Sequence, residues 1–167
     1  DNLRVQPCTP CSSNIDPGSV EISVRAVGLN FRDVLLALDQ VPGDRSDELI
    51  GTDCSGVVVS SEGGLRRIGD AVFGMADGCL SSRVRTNAQL VHIKPACISF
   101  EAVTSLLATW GTVHAVLGMS CARRGQSILV HAAAGGVGMT AVEYAAWTSC
   151  SLVASAGRPM KHLLVNG

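Results

Sequence analysis

The chain has 167 residues, enough for one full domain or for a small domain and part of a second. Hydrophobic residues make up 47% and charged residues 16%, so burial can offset chain entropy and wholesale disorder is excluded. The formal net charge is -1 and no Lys/Arg run exceeds the pairs Arg66-Arg67 and Arg123-Arg124, which leaves no electrostatic footprint for nucleic acid or an anionic membrane.

No stretch reaches the roughly 20 apolar residues needed to span a bilayer, and the N-terminus lacks the basic-then-apolar layout of a signal peptide. The expectation is a soluble, intracellular (cytoplasmic) protein. The seven cysteines are an odd number, and Cys54, Cys79, Cys97, Cys121 and Cys150 lie apart, so they read as reduced thiols and small core residues. Cys8 and Cys11 form a CxxC with no second pair or histidines at a zinc spacing. The chain starts at Asp1 and stops at Gly167 just past an apparent helix, and it is expected to be a fragment.

In chain order, Val20–Gly28 (V-E-I-S-V-R-A-V-G) alternates with the period of a half-buried strand. Asn30–Leu38 reads as a short helix with Phe31, Val34, Leu35 and Leu38 on one face. Gly51–Ser60, Asp70–Met75, Leu80–Val84 and Leu90–Ile93 read as further strands broken by Gly, Asp and Ser. Many short strands with Gly-rich turns predict a β-rich, barrel-like domain over residues 1–98.

The pattern changes near Ser99. Phe100, Val103, Leu106 and Leu107 recur at helical spacing, and Val113, Val116 and Leu117 continue it in a second helix. Ser127–His131 (S-I-L-V-H) reads as a strand buried in a parallel sheet, Gly135–Thr148 as a helix, and Leu152–Ser155 as another strand. Residues 99–167 therefore predict the start of a Rossmann domain and an α/β fold overall.

At the first strand-to-helix turn, Ala133, Gly135 and Gly138 stand at the GxGxxG spacing of the dinucleotide fingerprint, with alanine in the first place. Small residues let the backbone approach a pyrophosphate, whose charge is met by amides at the helix N-terminus. The flanking strands and the following helix are the context the motif requires. No Asp or Glu follows Glu143 to hold ribose hydroxyls, whereas Arg158 and Lys161 can meet a 2′-phosphate and Ser155 can donate to it. The expected cofactor is NADPH rather than NADH.

Gly28–Leu38 (G-L-N-F-R-D-V-L-L-A-L), Val41-Pro42-Gly43, Ile50–Val58 (I-G-T-D-C-S-G-V-V), Gly69–Met75 (G-D-A-V-F-G-M) and His131–Gly138 (H-A-A-A-G-G-V-G) follow one another in a familiar order. Together they resemble enoyl reductase domains of polyketide and fatty-acid synthases, in the medium-chain dehydrogenase/reductase superfamily with the quinone oxidoreductases. The resemblance implies a GroES-like N-terminal domain followed by a Rossmann domain. It also argues against a metal. Asn30 stands where the zinc alcohol dehydrogenases carry a ligand cysteine, and Thr52 where they carry a ligand histidine.

What the resemblance implies is transfer of a hydride from NADPH to the β-carbon of an enoyl thioester tethered to an acyl carrier protein, within a synthase that can form a homodimer. Asn30 and Thr112 match positions lining the nicotinamide pocket. Ala134, Gly135, Gly136, Val137 and Gly138 would hold the pyrophosphate, with Ser155, Arg158 and Lys161 at the adenosine phosphate. Val41 stands where many polyketide enoyl reductases carry a tyrosine associated with proton delivery to the α-carbon and with the stereochemistry of α-methyl branches. A valine cannot donate a proton, so another group or water must. Asp33 reads equally as a pocket residue and as a capping residue, His131 as a core or loop histidine, and His92 and His114 as packing. Two other functions stay open: a free-standing quinone or alkenal reductase, and a non-catalytic descendant that binds nucleotide.

Overall fold

A computed structural model of the chain describes residues 15–41, 49–157 and 161. Cys8, Cys11, Pro42, Gly43 and Arg158 lie outside the described residues. The chain divides into two compact units, Asp1–Ser105 and Leu106–Gly167.

The first unit is built on an antiparallel sheet of β1 (Ser19–Gly28), β2 (Asp53–Ser61), β3 (Ala71–Met75), β4 (Arg83–Asn87) and β5 (Val91–Ile93), in the order β4-β1-β2-β3-β5. The short helix α1 (Phe31–Ala37) follows β1. Alternation along β1 sends Val20 and Ile22 into a core shared with Cys54, Val58, Val72, Cys79, Val84 and Val91. Two irregularities in the β1–β2 register, at Glu21/Ile22 and Val24/Ala26, are β-bulge positions, where a strand bends and twists more strongly.

Glu21 lies between those two core residues and is itself 5% exposed. It is the register partner of Arg85 on β4, with Arg83 one pleat away. Its Oε2 accepts from Arg85 Nε at 2.9 Å and its Oε1 from Arg83 Nη1 at 3.0 Å. Burial pushes the Glu21 carboxyl up, but the hydrogen bonds and charges of Arg85 and Arg83 outweigh it and hold the group below its ordinary value.

Helix α2 (Phe100–Met119) starts where Ser99 Oγ accepts from Ala102 N at 3.1 Å, a side-chain cap of its first turn. Its hydroxyls fold back on its own carbonyls, Thr104 Oγ1 to Glu101 and Ser105 Oγ to Ala102, both at 2.8 Å, so polar side chains fit an apolar helix. The two helices expected, one carrying Phe100 to Leu107 and one carrying Val113 to Leu117, are one helix of 20 residues that runs through Gly111. An interior glycine costs a helix only about 1 kcal/mol, which the flanking residues absorb. The division between the two units falls inside α2. By length and composition α2 is long and apolar enough to cross a membrane, contrary to the expectation that no stretch is, because its few polar side chains are spread among apolar ones.

The second unit continues with β6 (Ser127–Val130), α3 (Gly136–Trp147) and β7 (Ser151–Ala154). β6 and β7 pair in parallel, Leu129 opposite Val153, so the strand–helix–strand unit forms as expected. Both residues are 59% exposed, so one face of this two-stranded sheet is open within the described chain, not buried as read from the sequence. The strand expected at Leu80–Val84 forms later, at Arg83–Asn87. Among the cysteines, Cys54 and Cys79 are core residues, whereas Cys97 and Cys121 are exposed and Cys150 is half-buried.

Candidate functional site

In the first unit, polar side chains converge at the start of α1. Asn30 is the helix N-cap, with extended backbone angles of φ -104° and ψ 160°, and it forms a capping box with Asp33. Asp33 Oδ2 accepts from Asn30 N at 2.7 Å, and Asp33 Oδ1 accepts from Gly51 N at 3.0 Å. Asp33 is therefore a buried cap that also ties α1 to the segment entering β2, which decides between its two sequence readings. The buried residue of α1 is Asp33, while Phe31, Val34 and Leu38 are exposed.

Gly51 has φ +92°, and a Cβ there would meet Leu80 N at 2.7 Å and Cys79 Sγ at 3.0 Å. Only glycine can turn its N–H toward Asp33 in that space. The turn delivers the next two residues to Asn30. Asn30 Nδ2 donates to Asp53 Oδ2 at 2.9 Å and to Thr52 Oγ1 at 3.4 Å. Asp53 is 2% exposed. Next to it, Cys54 and Cys79 are fully buried; the hydrogen bond from Cys79 draws the Cys54 thiol down, while that same bond and burial push Cys79 up. Positions 30 and 52 thus carry a carboxamide and a hydroxyl bound to each other. Among the described residues no group of three or more His, Cys, Asp or Glu could hold a metal ion. Val41 is half-buried, just beyond the turn in which Gln40 N donates to Leu35 O at 2.8 Å.

In the second unit, the turn from β6 to α3 is stitched to the end of β7. Ser155 N donates to Val130 O at 3.0 Å, Ala133 N to Ser155 O at 2.9 Å, and Gly135 N to Ala132 O at 2.9 Å. Ala132 takes φ +53°, a left-handed conformation that costs a non-glycine residue about 1 kcal/mol or more. Gly135 is the N-cap of α3. A Cβ on Gly138 would meet Ala133 Cα at 2.7 Å, so the first turn of α3 packs backbone to backbone on the loop. This is the third-glycine role of the dinucleotide fingerprint. A Cβ on Gly136 would meet nothing nearer than Thr109 Cγ2 at 3.7 Å, leaving its backbone open to a ligand. The first amides of a helix have no intrahelical acceptor, and here they end a turn of small residues, which fits a bound pyrophosphate.

Ser155 is exposed, and its Oγ shares a hydrogen bond of 3.0 Å with His131 Nδ1, so His131 joins the turn to the end of β7. The sequence signal for this pairing was only that both residues end adjacent parallel strands. Ala134 is half-buried in the turn, Val137 is exposed, and Thr112 on α2 and Lys161 are exposed. Trp110, Gly111, His114, Tyr144 and Trp147, on α2 and α3, line a cavity of about 530 Å³ that sequence reasoning missed. In it His114 Nδ1 and the Tyr144 hydroxyl are 3.0 Å apart. The signal was present in two aromatic residues on each helix side of the turn, but only the packing of α2 on α3 brings them together.

Comparison with known proteins places this geometry. Residues 16–153 match the family described as the alcohol dehydrogenase GroES-like domain. Over 99% of its length the chain is 38% identical to the reducing polyketide synthase FUB1 of Gibberella fujikuroi, of which it spans 7%. The crystal structure of CurK enoyl reductase superposes on 98% of the chain with a TM-score of 0.80 and 32% identity, the chain covering 52% of it. The Escherichia coli quinone oxidoreductase complexed with NADPH matches 92% of the chain with a TM-score of 0.79 and 28% identity, 49% of that protein being covered. The chain thus spans about half the length of the solved structures it matches. It belongs to the alcohol dehydrogenase GroES-like domain family, in the medium-chain dehydrogenase/reductase superfamily that includes enoyl and quinone reductases.

Proposed function

We propose that the chain is part of an NADPH-dependent enoyl reductase that reduces an α,β-unsaturated thioester on an acyl carrier protein, within a polyketide or fatty-acid synthase. The observation that carries this reading is the likeness along 99% of the chain to a reducing polyketide synthase, in a chain whose residues at positions 30 and 52 are hydrogen-bonded to each other. The close packing of Gly138 on the Ala133 backbone and the open backbone at Gly136 support nucleotide binding.

Bound NADPH supplies the hydride. The chain's own residues bind and orient. Ala134, Gly135, Gly136, Val137 and Gly138 hold the pyrophosphate on backbone amides, and Ser155, Arg158 and Lys161 meet the 2′-phosphate. Asn30 and, by the family resemblance alone, Thr112 are the residues assigned to the nicotinamide. Val41 leaves the α-carbon proton to another donor, since its side chain has none. Neighbouring synthase domains and the carrier protein are the partners this reading implies, and the setting is intracellular. The E. coli quinone oxidoreductase, with a TM-score of 0.79, favours a quinone or alkenal reductase as the second reading.

The test uses the full-length protein and follows nucleotide oxidation with an enoyl thioester and with a quinone. Activity on the quinone alone selects the second reading. Replacing Arg158 and Lys161 with alanine is expected to raise the KM for NADPH far more than that for NADH, each charge-assisted phosphate contact being worth roughly 1.5–3 kcal/mol. Equal effects on the two cofactors refute the assignment of those residues.

A further inference from the structure

An asparagine can face a ligand with either end of its carboxamide, the oxygen that accepts or the nitrogen that donates. At Asn30 the choice is made by the protein. The amide nitrogen has two hydrogens, and the two acceptors within its reach are Asp53 Oδ2 at 2.9 Å and Thr52 Oγ1 at 3.4 Å. Reversing the amide would set its oxygen against a carboxylate oxygen at the same separation, acceptor against acceptor. Asp53 is 2% exposed and sits at the start of β2, so it cannot swing away to relieve that contact. With both amide hydrogens engaged, the amide oxygen at the opposite end of the carboxamide is the end left for a ligand, while Asp33 N donates to the Asn30 backbone oxygen at 3.0 Å.

We propose that Asp53, with Thr52, is a positioning residue that locks Asn30 so that it offers its ligand a hydrogen-bond acceptor and no donor. Asn30 then recognises an N–H or O–H group, such as the carboxamide or a ribose hydroxyl of the nicotinamide nucleoside. It does not donate to the enolate oxygen of the thioester, whose negative charge is met by other groups. The inference rests on the proposed function only for the identity of the ligand.

The test is a reciprocal exchange in the full-length protein: Asn30→Asp, Asp53→Asn and the double variant. Aspartate is as good an N-cap as asparagine, so Asn30→Asp keeps the helix start and the outward oxygen while setting two carboxylates together. In the double variant the amide nitrogen of residue 53 donates to the carboxylate of residue 30, and the outward oxygen is kept. Two quantities are measured: denaturant unfolding without ligand, and NADPH affinity by fluorescence titration.

Asn30→Asp is expected to lower both the folding equilibrium constant and NADPH affinity roughly tenfold. The exchange is expected to bring both back to within about threefold of wild type. Strictly additive effects on unfolding overturn the lock. Recovery of stability with NADPH affinity still as poor as in Asn30→Asp also overturns the proposal, because the ligand then needs the amide N–H. A wild-type protein that binds NADPH but reduces no enoyl thioester sinks the proposed function instead, and the exchange still decides this inference.

Discussion

Gly138→Ala separates a packing role from a binding role within the glycine-rich turn. The added Cβ would stand 2.7 Å from Ala133 Cα and 2.8 Å from Ala133 C, close to 1 Å inside the ordinary carbon–carbon contact of about 3.5–4.0 Å. These obstacles and the nearest one, the Ala132 carbonyl oxygen, are all backbone, Ala133 is fully buried, and Ala133 N is hydrogen-bonded to Ser155 O, so α3 rather than the loop has to move. Overpacking of that size costs typically 1–3 kcal/mol. Gly136→Ala, two residues earlier in the same helix, meets only Thr109 Cγ2 at 3.7 Å and is expected to leave stability unchanged within about 0.5 kcal/mol. Its methyl still obstructs a ligand that approaches the backbone. Denaturant unfolding and NADPH titration of the full-length variants therefore give different patterns: Gly138→Ala loses stability and affinity, Gly136→Ala affinity alone. A Gly138→Ala protein as stable as wild type, or a Gly136→Ala protein that is the less stable of the two, refutes the reasoning.

Glu21→Gln is expected to cost about 1–3 kcal/mol at neutral pH, mostly through Arg85, because the Arg83 side chain is 57% exposed. The folded carboxyl lies below its ordinary value of 4.5, so its contribution is complete above that pH and is lost as the pH falls through the lowered value. Acid unfolding curves of the variant should therefore be flatter than wild type below about pH 4.5, and a parallel pair of curves contradicts the ion-pair account. Val41→Tyr places a phenol of pKa about 10 beside the proposed enolate. On an α-methyl enoyl thioester, chiral chromatography of the released acids should move from mainly R-methyl toward S-methyl product; an unchanged ratio places the proton donor elsewhere.

Where a signal is local, the sequence carried it. Alternation in β1, the glycines of the β6–α3 turn and the order of strand, helix and strand were legible because each depends on neighbours within a few residues. β4 was misplaced because Arg83–Asn87 holds a single apolar residue; its pairing with β1 is fixed by Glu21, which lies 62 and 64 positions from the arginines that bind it. The same distance hid the burial of Glu21, since a charged residue enters a core only with partners that the chain brings from elsewhere.

The sequence by itself determined the family, the turn chemistry and the residue types at the candidate site. Asn30, Asp33 and Thr52 could be named from it, but not Asp53, nor which end of the Asn30 amide faces outward, nor whether Asp33 caps or lines a pocket. Those were decided by tertiary structure. A carboxamide is both donor and acceptor until a fixed partner takes one end, and for Asn30 that partner is a carboxylate 23 positions along the chain, carried to it by the Gly51 turn.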